Sequence, residues 1–164
     1  MTKPESSSEC CPKVDPLLWQ DKEFIWKDKL FIKDTVPQLF HMPVPGTFGK
    51  TVSRMWEKIE NSQAKTDTKD FIMLSTESSS WKGEIYINTT KEVPNADNVK
   101  LSGTFLTKVF DGRYNDVPKW LKEMDPYVAG KGKTVKNYYF YYTTCPKCAR
   151  KYGHNYVVCF AEVI

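Results

Sequence analysis

The apolar and polar positions of the chain alternate most clearly in its last stretch. From Tyr156 to Val163, the residues Tyr156, Val158, Phe160 and Glu162 fall on one face of an extended strand, and Val157, Cys159, Ala161 and Val163 fall on the other. The second face is small and smooth and suits packing under a helix. The first is aromatic and ends in a carboxylate, a floor for a flat or cationic ligand. The run Tyr138-Tyr-Phe-Tyr-Tyr142 precedes it across a Cys145-Pro-Lys-Cys148 turn, so the two predict a β-hairpin with an elaborated tip. The run places aromatics on both faces and its pattern does not fix which set is which; if Phe140 lies in the core, Tyr139 and Tyr141 face the ligand side.

Earlier segments show both periods. Residues 23–34 read as a strand, and 36–44 as an edge or bulged strand because Pro37, Pro43 and Pro45 interrupt it. Phe48, Val52, Met55, Trp56 and Ile59 recur at helical spacing, which predicts an amphipathic helix over 48–62 with Thr47 as its N-cap. Strands are expected over 71–75, 83–90 and 103–110. Val117, Trp120, Leu121, Met124 and Val128 then predict a second helix, with Pro118 in its first turn and Pro126 expected to kink or split it. Strands over 138–144 and 156–164 close the chain. The order strand-helix-strand-strand therefore occurs twice, and Gly46-Thr-Phe48 matches Gly112-Arg-Tyr114 at the entry to each helix. The expected fold is α+β: duplicated modules forming a pseudo-twofold antiparallel sheet, two helices on one face and a ligand cleft on the other. Phe48, Val52, Trp56, Trp120, Leu121 and Met124 should be buried under the helices. Residues 1–23 read as an N-terminal arm with vicinal cysteines, and 24–164 as one domain, with module one at about 24–97 and module two at about 98–164.

Composition narrows the function. A net charge of +4 is spread over lysines mixed with acids, with no basic run interleaved with exposed aromatics, so no nucleic-acid surface is expected. No apolar stretch is long enough to cross a bilayer and Met1 to Glu9 is polar, which predicts a soluble, cytoplasmic protein without a membrane partner, a monomer or homodimer. Five cysteines, including Cys10-Cys11 and a Cys-x-x-Cys, fit a metal or redox site in a reducing compartment better than a secreted disulfide framework. Cys10, Cys11, Cys145 and Cys148 could hold a structural zinc, pair by oxidation, or remain free thiols. No cofactor is required for the chemistry considered below.

Glu84, Tyr86 and Asn88 share a strand face, which sets a carboxylate two residues from a phenol. In a desolvated aromatic cleft this pair is a candidate catalytic group, Glu84 acting as general base or as partner to a cation. Candidate ligand-binding residues are Trp81, Trp120, Tyr139, Tyr141, Tyr156, Phe160, Glu162 and His41. Each has a plain structural alternative: Trp120 lies on a helical apolar stripe, Glu162 stands near the chain end, and His41 reads equally as a satisfied histidine. With two histidines and no serine in a nucleophile-elbow setting, triad chemistry is not expected.

The double module, the Gly-x-aromatic helix entries and the aromatic-plus-carboxylate strands resemble the GyrI-like small-molecule-binding superfamily. The segments Phe105-Leu-Thr-Lys-Val-Phe-Asp-Gly-Arg-Tyr114, Pro118-Lys-Trp120 and Cys145-Pro-Lys-Cys-Ala-Arg-Lys-Tyr-Gly-His-Asn-Tyr-Val-Val158 look like its GyrI-like hydrolase subgroup with a Cys-x-x-Cys hairpin. The resemblance covers roughly residues 10–164 and implies a ligand cleft between the two modules. Some members serve transcription regulators as drug sensors, one inhibits gyrase, and some hydrolyse strained cyclopropane-bearing genotoxins. Three functions follow: a cleft that hydrolyses a planar electrophilic xenobiotic, a binding or sensor module without turnover, and a zinc-stapled or redox interaction protein. No DNA-binding segment is expected within these residues.

Overall fold

The computed structural model describes residues 13–144 and 146–164. The described residues form seven strands and three α-helices: β1 (Lys22–Leu39), β2 (Met42–Pro43), α1 (Thr47–Asn61), β3 (Met73–Ser79), β4 (Lys82–Asn88), β5 (Asp97–Asp111), α2 (Val117–Gly130), β6 (Val135–Tyr142), α3 (Pro146–Tyr152) and β7 (Tyr156–Val163). All pairings are antiparallel, in the order β2-β1-β4-β3-β6-β7-β5, and β1 pairs again with β5. The sheet therefore closes into a six-stranded barrel, with β2 as a short flap on β1. Among the described residues, no helix is long and apolar enough to cross a membrane.

Closure corrects the expected open sheet with a free ligand face. The long strand β1 makes it possible, because it spans two neighbours: Lys22 to Lys33 register with β5, and Phe31 to Pro37 with β4. Residues 23–34 and 36–44 are thus not two strands; the first runs on to Leu39 and turns back at Phe40-His41 into β2. The face opposite the helices becomes the barrel interior. It is filled by Phe31, Phe105, Phe160, Tyr86, Tyr139 and Tyr141, with Trp19, Phe24 and Trp26 packed against them. Neighbouring rings lie 4.4 Å apart for Trp26 and Phe105 and 5.7 Å for Trp26 and Phe160, the spacing of a packed aromatic core.

Both long helices lie on the outer face. Under α1 pack Ile32, Val36, Ile85 and Ile87 with Met55 and Ile59; under α2 pack Val157, Cys159, Ala161 and Val163 with Trp120, Met124 and Val128. The alternation in β7 therefore works as its chemistry implies: the smooth face meets the helix and the aromatic face turns inward. In β6, Phe140 is on the helix side and Tyr139 and Tyr141 on the inner side.

Three local expectations are corrected. The N-cap of α1 is Gly46, whose left-handed φ of 79° suits glycine, while Thr47 is the first helical residue and donates its hydroxyl to the Val44 carbonyl. Pro126 does not split α2, which runs unbroken. It sits on the solvent side, where water can serve the carbonyl it leaves unbonded, while Met124 and Val128 anchor the other side. Finally, Phe48, Val52, Trp56 and Leu121 are only half-buried, unlike Trp120 and Met124. The apolar stripes of the helices are wider than the sheet beneath them covers.

Candidate functional site

The uncovered halves of the two stripes face each other. Between α1 and α2 lies a cleft of about 380 Å³, with Phe48 of α1 on one wall and Tyr114, Val117 and Leu121 of the α2 entry on the other. Its floor is the outer face of four strands, contributed by Val36 and Gln38 of β1, Gly83 and Ile85 of β4, Ser75 and Glu77 of β3, and Tyr138, Phe140 and Tyr142 of β6. The position follows from the weakest joint of the barrel. The β3–β6 register is one pair long, Ser75 with Phe140, against seven or more for β1–β4 and β6–β7. Beyond that pair the Thr76 hydroxyl donates to the Tyr138 carbonyl at 2.8 Å in place of a strand ladder. At this seam the cleft is lined by Thr76, Lys136, Asn137 and Glu84.

Glu84 lines the cleft from this seam, with its side chain on the inner face of β4 beside Tyr86. Its Oε2 accepts from the Tyr86 hydroxyl at 2.6 Å, and its Oε1 lies 3.5 Å from Lys33 Nζ. The Tyr86 phenol is held far above its ordinary value, first by burial and then by the hydrogen bond to Glu84. Tyr139 is raised as well, by burial and by the nearby charges of Glu162 and Glu84. Both phenols stay protonated, so Tyr86 orients the carboxylate as a donor.

At the outer end, the rim ties the β1–β2 turn to the entry of α2. His41 Nδ1 is 2.7 Å from Glu77 Oε2, and the Tyr114 hydroxyl donates to the His41 carbonyl at 2.9 Å. Tyr114 rests on Tyr142 with ring centroids 5.9 Å apart, and burial followed by the Glu77 charge raises the Tyr114 phenol. The Tyr142 phenol is raised more strongly, chiefly by burial.

These phenols make a prediction. A free tyrosine ionises near pH ~10. Tyr86, Tyr142, Tyr138 and Tyr139 ionise only above that in the folded chain, so above this pH the unfolded state binds fewer protons than the folded one. Stability should be intact below the unfolded value and fall as pH rises from there toward the folded values. Chemical denaturation at pH 8 and pH 11 checks it; equal midpoints would contradict it.

The residues singled out from sequence are dispersed by the structure. Glu84 lines the cleft and His41 adjoins its rim. Tyr86, Tyr139, Tyr141, Phe160 and Glu162 are on the inner face; Glu162 lies 3.6 Å from Lys136 Nζ, and Lys136 lines the cleft. Tyr156 stacks on His154 at 5.0 Å. Trp120 is buried beneath α2 against Phe110, and Trp81 is exposed at the β3–β4 turn, stacked on Phe40. Cys10, Cys11 and Cys145 fall outside the described residues; Cys148 is buried on α3. A smaller cavity of about 220 Å³ at the barrel end is lined by Trp19, Phe24, Trp26, Lys29 and Lys69. Sequence reasoning missed Gln38, Ser75, Glu77 and Tyr114. Of these only Tyr114 carried a signal, the repeated Gly-x-aromatic entry.

The bacterial hydrolase family matches residues 1–163, and the chain belongs to that family. No match is found among curated protein sequences. Among solved structures the fold is similar to the EcmrR C-terminal domain, with a TM-score of 0.67 at 10% identity over 90% of this chain and 98% of that one. It is also similar to a hydrolase from Listeria innocua, with a TM-score of 0.64 at 10% identity over 88% of this chain and 92% of that one. An uncharacterized conserved protein from Listeria innocua gives 0.65 at 10% identity with the same coverage. These findings fit the GyrI-like resemblance read from the sequence.

Proposed function

We propose that the cleft between α1 and α2 binds a planar aromatic small molecule and that Glu84, at its β3–β6 seam, activates water to hydrolyse an electrophilic centre on that molecule. The observation that carries this reading is one cleft whose walls are apolar and aromatic and whose lining includes an acid, Glu84, at the β3–β6 seam. Membership of the bacterial hydrolase family supports turnover. Within this reading the two modules are copies related by a twofold axis, the ligand lies between them, and the Cys-x-x-Cys hairpin marks the subgroup. Tyr86 spends its hydroxyl on Glu84, so its role is to orient the base rather than to polarise the ligand.

One observation favours a sensor without turnover: both Glu84 oxygens are already engaged, by Tyr86 and by Lys33. The similar fold of the EcmrR C-terminal domain, from a protein whose structure is also known in a complex with DNA, is in keeping with it. Filling the cleft tests what both readings share. Leu121→Trp adds an indole on the cleft wall, where space is open, so the chain should fold while affinity for a panel of planar aromatic electrophiles falls at least roughly 10-fold. Unchanged affinity by calorimetry would sink the cleft as the binding site.

A further inference from the structure

Among the described residues, two buried polar atoms on cleft-lining side chains have no hydrogen-bond partner, Gln38 Oε1 and Ser75 Oγ. Gln38 is only 7% exposed. Its backbone N–H donates to the Trp81 carbonyl at 2.8 Å, which fixes the strand but leaves the side chain to its surroundings. Gly83 makes the room: a Cβ on that residue would stand 2.8 Å from Gln38 Nε2, so the amide lies over a position where any other residue would displace it. Gln38 also ends the outward row Ile32, Asp34, Val36, Gln38, where an apolar side chain would continue the cleft floor at no polar cost.

The contrast with Asn88 shows how this chain treats a structural amide. Asn88 is equally buried, and both of its ends are satisfied: Oδ1 accepts from the Ile72 N–H at 2.8 Å, and Nδ2 donates to the Asp70 carbonyl at 2.7 Å. Buried amides are bonded in nearly all folded proteins, so a buried acceptor without a partner on a cleft-lining side chain points to one that arrives with the ligand, the amide turning to meet it. We propose that the ligand is a planar aromatic molecule bearing an N–H or O–H donor at its edge, and that Gln38 Oε1 receives this donor and sets the specificity of the cleft. This rests on the cleft being the binding site. Ser75 Oγ, which can donate or accept, is a second polar point in the floor.

The selection comes from the bond gained: Gln38 Oε1 is already shut off from water in the free chain, so a ligand with the donor supplies the missing partner and one of the same shape without it leaves the acceptor unbonded. The apolar walls Phe48, Val117 and Leu121 do not distinguish the two.

The test uses 2-naphthol and 2-methoxynaphthalene with the full chain. Wild type should bind 2-naphthol roughly 10- to 100-fold more tightly. Gln38→Leu should erase that preference, mainly by weakening 2-naphthol, and should leave the melting temperature equal or higher, because it removes an unsatisfied polar atom. Gly83→Ala should reduce the preference by displacing the amide. Equal binding of both probes by wild type would overturn the proposal, as would a preference that persists in Gln38→Leu, since that would be steric in origin. A lowered melting temperature in Gln38→Leu would overturn it too, by giving Gln38 a structural role. In each of these cases binding that still depends on Leu121 keeps the cleft as the site. Failure of both probes to bind overturns the proposal together with the cleft.

Discussion

Replacing Glu84 by Gln is expected to lower turnover of a strained aromatic electrophile by roughly 10²- to 10⁴-fold while leaving its affinity within a few-fold. The amide keeps the shape of the carboxylate and can still accept from Tyr86, whose hydroxyl stands 2.6 Å from Oε2. It cannot take a proton from the attacking water. The same substitution separates the two readings of the site. In a sensor, Glu84→Gln has no turnover to lower, and it weakens cationic ligands while neutral aromatics bind almost unchanged, because the walls contributed by Phe48, Tyr142 and Leu121 remain. Single-turnover kinetics and calorimetry on the same preparations distinguish these outcomes. If neither rate nor affinity moved, Glu84 would have no part in the site.

The largest effect on stability is expected at Trp120. It is 4% exposed, stacked on Phe110 at 5.4 Å and 14°, and it ties α2 to the smooth face of β7. Trp120→Ala removes that ring from a place neither the helix nor the sheet can collapse to fill, so unfolding free energy should drop by about 3–5 kcal/mol. Trp56 occupies a comparable place in the α1 stripe but is half-buried, touching Phe71 edge-on and covered by Lys65. Trp56→Ala should therefore cost clearly less than Trp120→Ala. Urea denaturation of both variants measures the difference, and equal losses would mean that the two helices are seated alike.

What was legible in the sequence was local. The period of two in β7 sorted Val157, Cys159, Ala161 and Val163 from Val158 and Phe160 because the two faces carry different chemistry, and the helical stripes of α1 and α2 were readable for the same reason. Barrel closure was not legible, since it depends on β1 pairing with β5 from Lys22–Thr107 to Lys33–Asp97, two strands separated along the chain by β2, α1, β3 and β4. Pro37 also masked the length of β1 by suggesting a break where the ladder with Lys82 continues. The cleft was misplaced for a related reason. An apolar stripe predicts that a face will be covered, and only the distance between two helices far apart in sequence shows that Phe48 and Leu121 are covered by each other's cavity. Glu84 stood out because a carboxylate two residues from a phenol has an alternation signature. Gln38, one amide between Pro37 and Leu39, has none.

A structure of the chain with 2-naphthol bound tests the central claim most directly. The account predicts the ring system between Phe48 and Leu121, over Tyr142, with its hydroxyl toward Gln38 Oε1. Density for the ring at the barrel end, among Trp19, Phe24 and Trp26, with the α1–α2 cleft empty at saturating ligand, would contradict it.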